Sequence, residues 1–432
     1  MFKTCKDLED SLYIAPNEIR ACCKRFFHKG KMRGDAKLLD IIDGKTPDTD
    51  NLIKGRQKLF DEIQENKNEQ CLGCPFLKKV KEKPIISNQI KHLSIEHHSV
   101  CNLRCNYCSE IYWGGKKSKY NVVEFIKYLN NSGSFDDCNQ VVWGGGEPTL
   151  DKSFELILEE INKNANPKLY HRVFTNAVRY SEAVTKFLEQ GLIKISTSID
   201  AGTEETFKLV RGRPKFINVF ENLQKYANIN PKQVTVKYIF TDENCSENEL
   251  SSFVETCIKY NLEKCNFQIS LNFKKEKLEL EYLTKVAYLF SILMKNNIKK
   301  VFVDDHVALR FVSLKDYEIK KLQNYLSKNN FQNTILNAAE LNDLIIYGAG
   351  NIAHELIRKT NFFKSLKNFD IIDSDTNKVG NTLLNKEILS NEILKKDTRK
   401  VFIASALFYD EIYDNIIKLK GNGNNIITGL II

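Results

Sequence analysis

Between residues 88 and 275 short apolar runs alternate with amphipathic stretches, and no other feature of the 432-residue chain restricts its fold as much. The runs at 92–95, 140–143, 172–174, 193–198, 234–240 and 266–271 have strand length. Between them, 122–129, 154–161, 182–189, 215–226 and 247–260 carry apolar residues at helical spacing. Strand followed by helix, repeated in this way, builds a parallel sheet through right-handed crossovers, and so predicts an α/β fold. Six such units are too few to close an eight-stranded barrel. An open partial barrel and a doubly wound sheet both fit the periodicity.

The chain divides around this core where its texture changes. Residues 1–85 are polar, cysteine-bearing and short on strand signal, with one helical pattern over 51–66 and a boundary near Pro84. The core occupies 86–276. Residues 277–340 read as a helical connector with a strand-like piece at 300–303, and 341–432 as a small α/β domain. No run approaches the ~18 apolar residues that a membrane span needs, and the start, MFKTCKDLED, lacks a signal peptide's apolar stretch. A soluble, cytoplasmic protein without a membrane partner is expected. The net charge of +9 is scattered along the chain. The most basic stretch, 23–33, carries two phenylalanines, but the other lysines alternate with apolar residues as solvated faces do, which argues against a nucleic-acid partner.

Twelve cysteines in a reducing compartment point to metal or redox chemistry where they cluster. Cys101, Cys105 and Cys108 stand at C-x3-C-x2-C spacing directly after a predicted strand. A loop of that length can wrap three thiolates around one corner of a [4Fe–4S] cube and leave the fourth iron without a local protein ligand. A zinc knuckle completed by His97 or His98, or a closed electron-transfer cluster, would use the same three thiols. After the next predicted strand comes Gly144-Gly145-Gly146-Glu147-Pro148. Glycines let a backbone approach a ligand closely, and a carboxylate there can accept from a cationic amino group.

Together these two segments resemble the radical S-adenosylmethionine (radical SAM) superfamily. Cys101-Asn-Leu-Arg-Cys105-Asn-Tyr107-Cys108 matches its cluster signature, and the glycine run matches the Gly-Gly-Glu-Pro motif that lies along the methionine end of SAM. The resemblance implies a partial (β/α)6 barrel with a [4Fe–4S] cluster and S-adenosylmethionine as cofactors. It also implies SAM contacts from Tyr107, Gly144, Gly145, Gly146, Glu147 and Pro148. Asn176 in Phe-Thr-Asn-Ala177, Ser198 at the fourth strand end and Arg211 just beyond match further contact positions, although Ala177 stands where the family commonly has glycine. The implied chemistry is reductive cleavage of SAM followed by hydrogen abstraction from a substrate. That substrate would be a sugar or nucleotide-linked metabolite or a peptide, and the electrons would come from a donor such as flavodoxin or ferredoxin.

The N-terminal cysteines resemble the auxiliary-cluster (SPASM or twitch) segments of many such enzymes, though they precede the barrel rather than follow it. Cys5, Cys22, Cys71 and Cys74 are the expected ligands of a second [4Fe–4S] cluster, with Cys23 competing for the second place and a four-cysteine zinc site as the alternative. In the C-terminal domain Gly348-Ala-Gly350-Asn-Ile-Ala353 follows a strand and opens a helix, and Asp373 ends the next strand. A tight turn, a helix N-terminus and a carboxylate for a ribose are the parts of a nucleotide or dinucleotide site. A domain of this size holds one half of the two-half Rossmann fold, and docking is an equal reading of it. The alternative to an enzyme is a non-catalytic iron–sulfur or zinc protein that senses a nucleotide through this domain.

Overall fold

The structure is a computed structural model. It describes residues 1–42, 44–109, 114–164, 166–167, 169–272, 279–311, 313–331, 335–336, 343–359, 368–405, 408–421, 426–427 and 430–431. The chain forms two compact units, Met1–Thr197 and Ser198–Ile432.

In the first unit, the described residues of 1–85 contain seven strands where the polar composition gave little strand signal. They are β1 (Phe2–Thr4), β2 (Ser11–Ile14), β3 (Glu18–Arg20), β4 (Arg25–His28), β5 (Lys31–Gly34), β6 (Lys37–Asp40) and β7 (Lys78–Val80). Three or four residues place only one or two side chains inward, so no alternation builds up to be read. Between β1 and β2 lies the short helix α1 (Lys6–Asp10), and between β6 and β7 lies α2 (Thr49–Gln64). The predicted helical face of α2 buries Leu52, Leu59, Phe60 and Ile63, and Asp48 caps its start by accepting from the Asn51 N–H at 2.8 Å.

β2 joins the central sheet. All four of its residues are buried, and it pairs in parallel with β8 (His92–Ile95), Ile14 opposite Ile95. β3 and β6 continue that side antiparallel. On the other side β9 (Gln140–Trp143), β10 (Tyr170–Phe174) and β11 (Ile193–Ser198) follow in parallel. The crossovers contain α3 (Val122–Asn131), α4 (Phe154–Asn162) and α5 (Glu182–Glu189), each buried along one apolar stripe. Trp143 is buried at the end of β9, packs edge-on against Phe154 at 4.9 Å and donates to His171 Nδ1 at 3.1 Å.

The second unit continues the alternation along the chain with α6 (Glu204–Arg211), α7 (Phe216–Ile229), β12 (Val234–Phe240), α8 (Glu247–Lys259), β13 (Asn266–Leu271), α9 (Leu280–Lys295) and β14 (Val301–Val303). The last three strands are parallel neighbours in chain order. Every second residue of β12 is buried, as period-2 packing requires. Two further helices, α10 (Asp305–Phe311) and α11 (Asp316–Lys328), and the two-residue strand β15 (Ile335–Leu336) lead to the C-terminal sheet.

That sheet is larger than the half expected. It contains β16 (Asp343–Tyr347), β17 (Asn368–Asp373), β18 (Thr382–Leu383), β19 (Lys386–Ser390), β20 (Lys400–Ile403) and β21 (Ile426–Ile427), in the order β18-β19-β17-β16-β20-β21. All but β18 pair in parallel. Counting parallel strands along the chain, the order is 3-2-1-4-5, so the reversal that creates a ligand crevice falls between β16 and β20. The helices α12 (Asn351–Lys359) and α13 (Tyr409–Lys420) follow those two strands. Among the described residues no helix is long and apolar enough to cross a membrane.

Candidate functional site

The segment entering Cys101 is held by the segment leaving β9. The Gly144 N–H donates to the Ile95 carbonyl at 3.1 Å, Gly146 to His98 at 3.0 Å and Glu147 to Val100 at 2.8 Å. This pairing explains the glycines. Gly145 has φ +84°, and a Cβ on Gly146 would fall 2.2 Å from the Val100 carbonyl oxygen. Cys101, Cys105 and Cys108 are half-buried. The Cys101 Sγ accepts from the Leu103 N–H at 3.4 Å, and the Cys108 N–H donates to the Cys105 carbonyl at 3.1 Å. Tyr107 is buried beside them.

Glu147 is the fixed point of the arrangement. Its carboxylate is buried and accepts from Thr149 Oγ1 at 2.7 Å, Thr175 Oγ1 at 2.7 Å and the Asn176 N–H at 2.6 Å. Burial pushes its pKa up, and those donors oppose the shift. Asn176 in turn reaches the cysteine loop, with Nδ2 donating to Asn102 Oδ1 at 2.6 Å and lying 3.7 Å from Cys101 Sγ. Ala177, standing where the family commonly has glycine, is buried at φ +53° and donates its N–H to Thr175 Oγ1. The third strand end is thereby tied to the cluster loop through Glu147 and Asn176. Pro148 opens a 3-10 turn, Pro148–Leu150, and the residue after it, Asp151, accepts from His97 Nε2 at 2.7 Å through a carboxylate held below its usual pKa. Burial and the neighbouring His97 push His98 down to about 4, so it is neutral at pH 7.

The sequence alone named His97 only as a possible zinc ligand and did not single out its partner Asp151, nor Asn102, Thr175 or Glu96. Glu96 accepts from the Tyr13 hydroxyl, and its side chain lies against Gly144, whose Cβ would come 3.0 Å from Oε1. Burial raises its pKa as well. The register of β2 against β8 places this pair, and no local motif announces a contact across 83 residues.

Cys5, Cys22, Cys71 and Cys74 line one cavity, with Leu59 and Phe76 among its apolar walls, whereas Cys23 is absent from it. Burial lifts Cys5 to about 11 and Cys71 to about 12, and the neighbouring thiols add to each shift. After burial, the charge that most affects Cys23 is Glu96. The four thiols suit a metal centre because they line one cavity and are half-buried, so that bound cations would draw off their protons.

Ser198 and Arg211 lie in the second unit. Arg211 is buried, with Nη1 donating to Asp200 Oδ2 at 2.9 Å, and Asp200 itself is fully buried at φ +61°. In the C-terminal sheet Gly348 turns at φ +108°, as a tight turn after β16 requires. Asp373 Oδ2 accepts from the Ala349 N–H and from Lys378 Nζ, each at 2.8 Å, so this carboxylate closes the glycine turn as well as ending β17. Burial alone would raise its pKa, but Lys378 and the two backbone donors hold it below the usual carboxylate range. A Cβ on Gly350 would meet nothing within 4 Å, so packing does not demand that glycine.

Residues 95–248 match the family described as the Radical SAM superfamily. A GTP 3',8-cyclase of Clostridium botulinum is 24% identical over 174 residues, which are 40% of this chain and 54% of that protein. The enzyme of the same name from Pasteurella multocida is 29% identical over 150 residues, 34% of this chain and 44% of that protein. The chain thus spans about half the length of the curated relatives it matches. Among solved structures, Streptococcus suis SuiB bound to S-adenosylmethionine aligns with a TM-score of 0.43 and 15% identity, over 63% of this chain and 60% of that one.

Proposed function

From the premise that this chain belongs to the radical SAM superfamily, we propose that it cleaves S-adenosylmethionine reductively and abstracts a hydrogen atom from its substrate. When bound, the cluster and SAM supply the electron and the 5′-deoxyadenosyl radical; the protein orients the reactants and keeps out water. Cys101, Cys105 and Cys108 hold three irons, and Gly144, Gly145 and Gly146 offer backbone to the methionine end of SAM. Glu147, with all its nearest donors taken from the chain, acts as the brace that sets Asn176 against the cysteine loop. Tyr107 and Pro148 complete the SAM contacts of this unit. The observation that carries the reading is the ladder from Gly144–Glu147 to 95–100, which joins the two sequence motifs into one site.

Cys5, Cys22, Cys71 and Cys74 hold a second [4Fe–4S] cluster, supported by their shared cavity and by the exclusion of Cys23 from it. Such a cluster passes electrons between the site and an external donor in the cytoplasm. Gly348, Gly350 and Asp373 form a nucleotide site, supported by the 3-2-1-4-5 order and by the open space at Gly350. That favours a nucleotide-linked metabolite over a peptide as substrate.

Anaerobic protein reduced in the presence of SAM is expected to release 5′-deoxyadenosine and to hold about eight irons, the number that two four-iron clusters require. Cys105→Ala should abolish the product and leave about four irons at the N-terminal thiols. Zinc without sulfide in the wild-type protein would overturn the enzymatic reading. A thermal-shift screen of nucleotide sugars against peptides separates the substrate classes, since a ligand stabilises the state that binds it.

A further inference from the structure

β4 and β5 form a hairpin whose two-residue turn, Lys29-Gly30, has φ of +50° and +74°. Such turns favour Asn, Asp or Gly at the first place, so the lysine there is held in a strained conformation. The hairpin is seated on the loop of the Cys71–Cys74 pair. The His28 ring occupies the space where Gly73 would have its Cβ, 2.1 Å from Nδ1, and Arg33 donates to the Glu69 carbonyl.

Lys29 and Lys31 on the hairpin and Lys78 and Lys79 beyond the loop are all exposed. Met32 is 62% and Leu72 38% exposed, large apolar side chains within this basic surface. Among the described residues no ion pair engages Lys29, Lys31 or Lys79. Lys78 stands 3.8 Å from Glu9, and the acid of the loop, Glu69, is 3.9 Å from Arg33. Leu72, Lys78 and Lys79 line the same cavity as Cys71 and Cys74, so the thiols lie directly under this surface.

Exposed apolar side chains among unpaired charges are the anatomy of a small, steered encounter interface. We propose that this face docks a small acidic protein that carries single electrons. The proposal rests on the reading that Cys5, Cys22, Cys71 and Cys74 hold a cluster. On docking, the reduced carrier loses one electron and the cluster that Cys5, Cys22, Cys71 and Cys74 would hold gains it; no bond or proton moves. The lysines speed the encounter, an effect that salt screens.

The test follows cluster bleaching by anaerobic stopped flow, with reduced plant-type ferredoxin as the acidic probe and dithionite as the small reductant. In the Lys29→Glu/Lys31→Glu/Lys79→Glu variant the ferredoxin rate should fall at least about ten-fold at low ionic strength, and the wild-type rate should fall steeply as salt is added. Dithionite should reduce both proteins equally fast. A variant that ferredoxin reduces as fast as the wild type overturns the proposal, as does a wild-type rate indifferent to salt. If the charge reversals slow both reductants, Lys29→Gln/Lys31→Gln decides, and an unchanged ferredoxin rate there overturns docking. Iron analysis reads the underlying cluster independently, since a wild-type protein with four irons would refute that cluster whatever the lysines do.

Discussion

Gly146 and Gly350 both stand in glycine-rich turns after a strand, yet added methyl groups would meet opposite surroundings. At Gly146 the methyl would enter the Val100 carbonyl, backbone that cannot move without pulling on Cys101. Gly146→Ala should therefore separate the 144–147 segment from the cluster loop, lowering iron content and abolishing 5′-deoxyadenosine release. At Gly350 the methyl enters open space, so Gly350→Ala should melt within about 1 kcal/mol of the wild type, the small loss being that of a poorer residue at the helix N-cap. Its effect should appear only as weakened nucleotide binding by calorimetry; unaltered binding would remove the close-approach argument for that turn. The sequence told where the glycines are but not which the fold needs, because that depends on what lies opposite. The same holds for Cys22 and Cys23, adjacent in sequence and separable only once the cavity excludes one. Glu147 reads from its motif as a ligand-facing carboxylate, and Thr149, Thr175 and Asn176 engage it first.

At the scale of elements, α1 is the shortest helix of the N-terminal region and directly follows Cys5. Its C-terminal carbonyls are held by Arg56 from α2, a fully buried guanidinium that donates to the carbonyls of Leu8, Glu9 and Ser11. Burial pulls the Arg56 pKa down to about 10, and Asp10 counters only part of it, so the arginine stays charged at pH 7. Arg56→Met would leave those oxygens without their donor, a loss of about 2–5 kcal/mol. The segment that places Cys5 should then loosen. We expect a lower melting temperature and iron falling from about eight towards four, with 5′-deoxyadenosine release surviving from the Cys101–Cys108 cluster. Full retention of iron would show that α1 positions Cys5 without this clamp. Long periodic elements such as β12 and α2 were legible because each repeats its apolar step several times. β2, β19 and β21 were not, being too short or too polar to display a period, although β2 widens the central sheet and the other two turn a half-domain into a five-stranded parallel one.

For the molecule as a whole, proton uptake should act on the two units unequally. His171 is fully buried between Trp143 and Asn162, and burial pulls its pKa down to about 3. His98 is held near 4, and burial also lowers His92. All three belong to Met1–Thr197. His171 and His98 stay neutral in the folded unit well below pH 6.5 and titrate near 6.5 once unfolded, so below that pH the unfolded unit binds more protons. Their contribution is therefore complete above pH ~6.5 and is lost as pH falls towards the folded values, by about 1.4 kcal/mol per pH unit for each group. Calorimetry of iron-free protein, in which acid release of iron cannot be mistaken for unfolding, should show the transition of the first unit moving down between pH 6.5 and 4. His171→Gln keeps an acceptor for the Trp143 N–H but cannot charge, so its transition should start lower and decline less steeply with acid. Equal slopes for the variant and the wild type would mean that His171 is reached by water and protonated without unfolding, and the buried pairing of β9 with β10 would then have to open more readily than its packing implies.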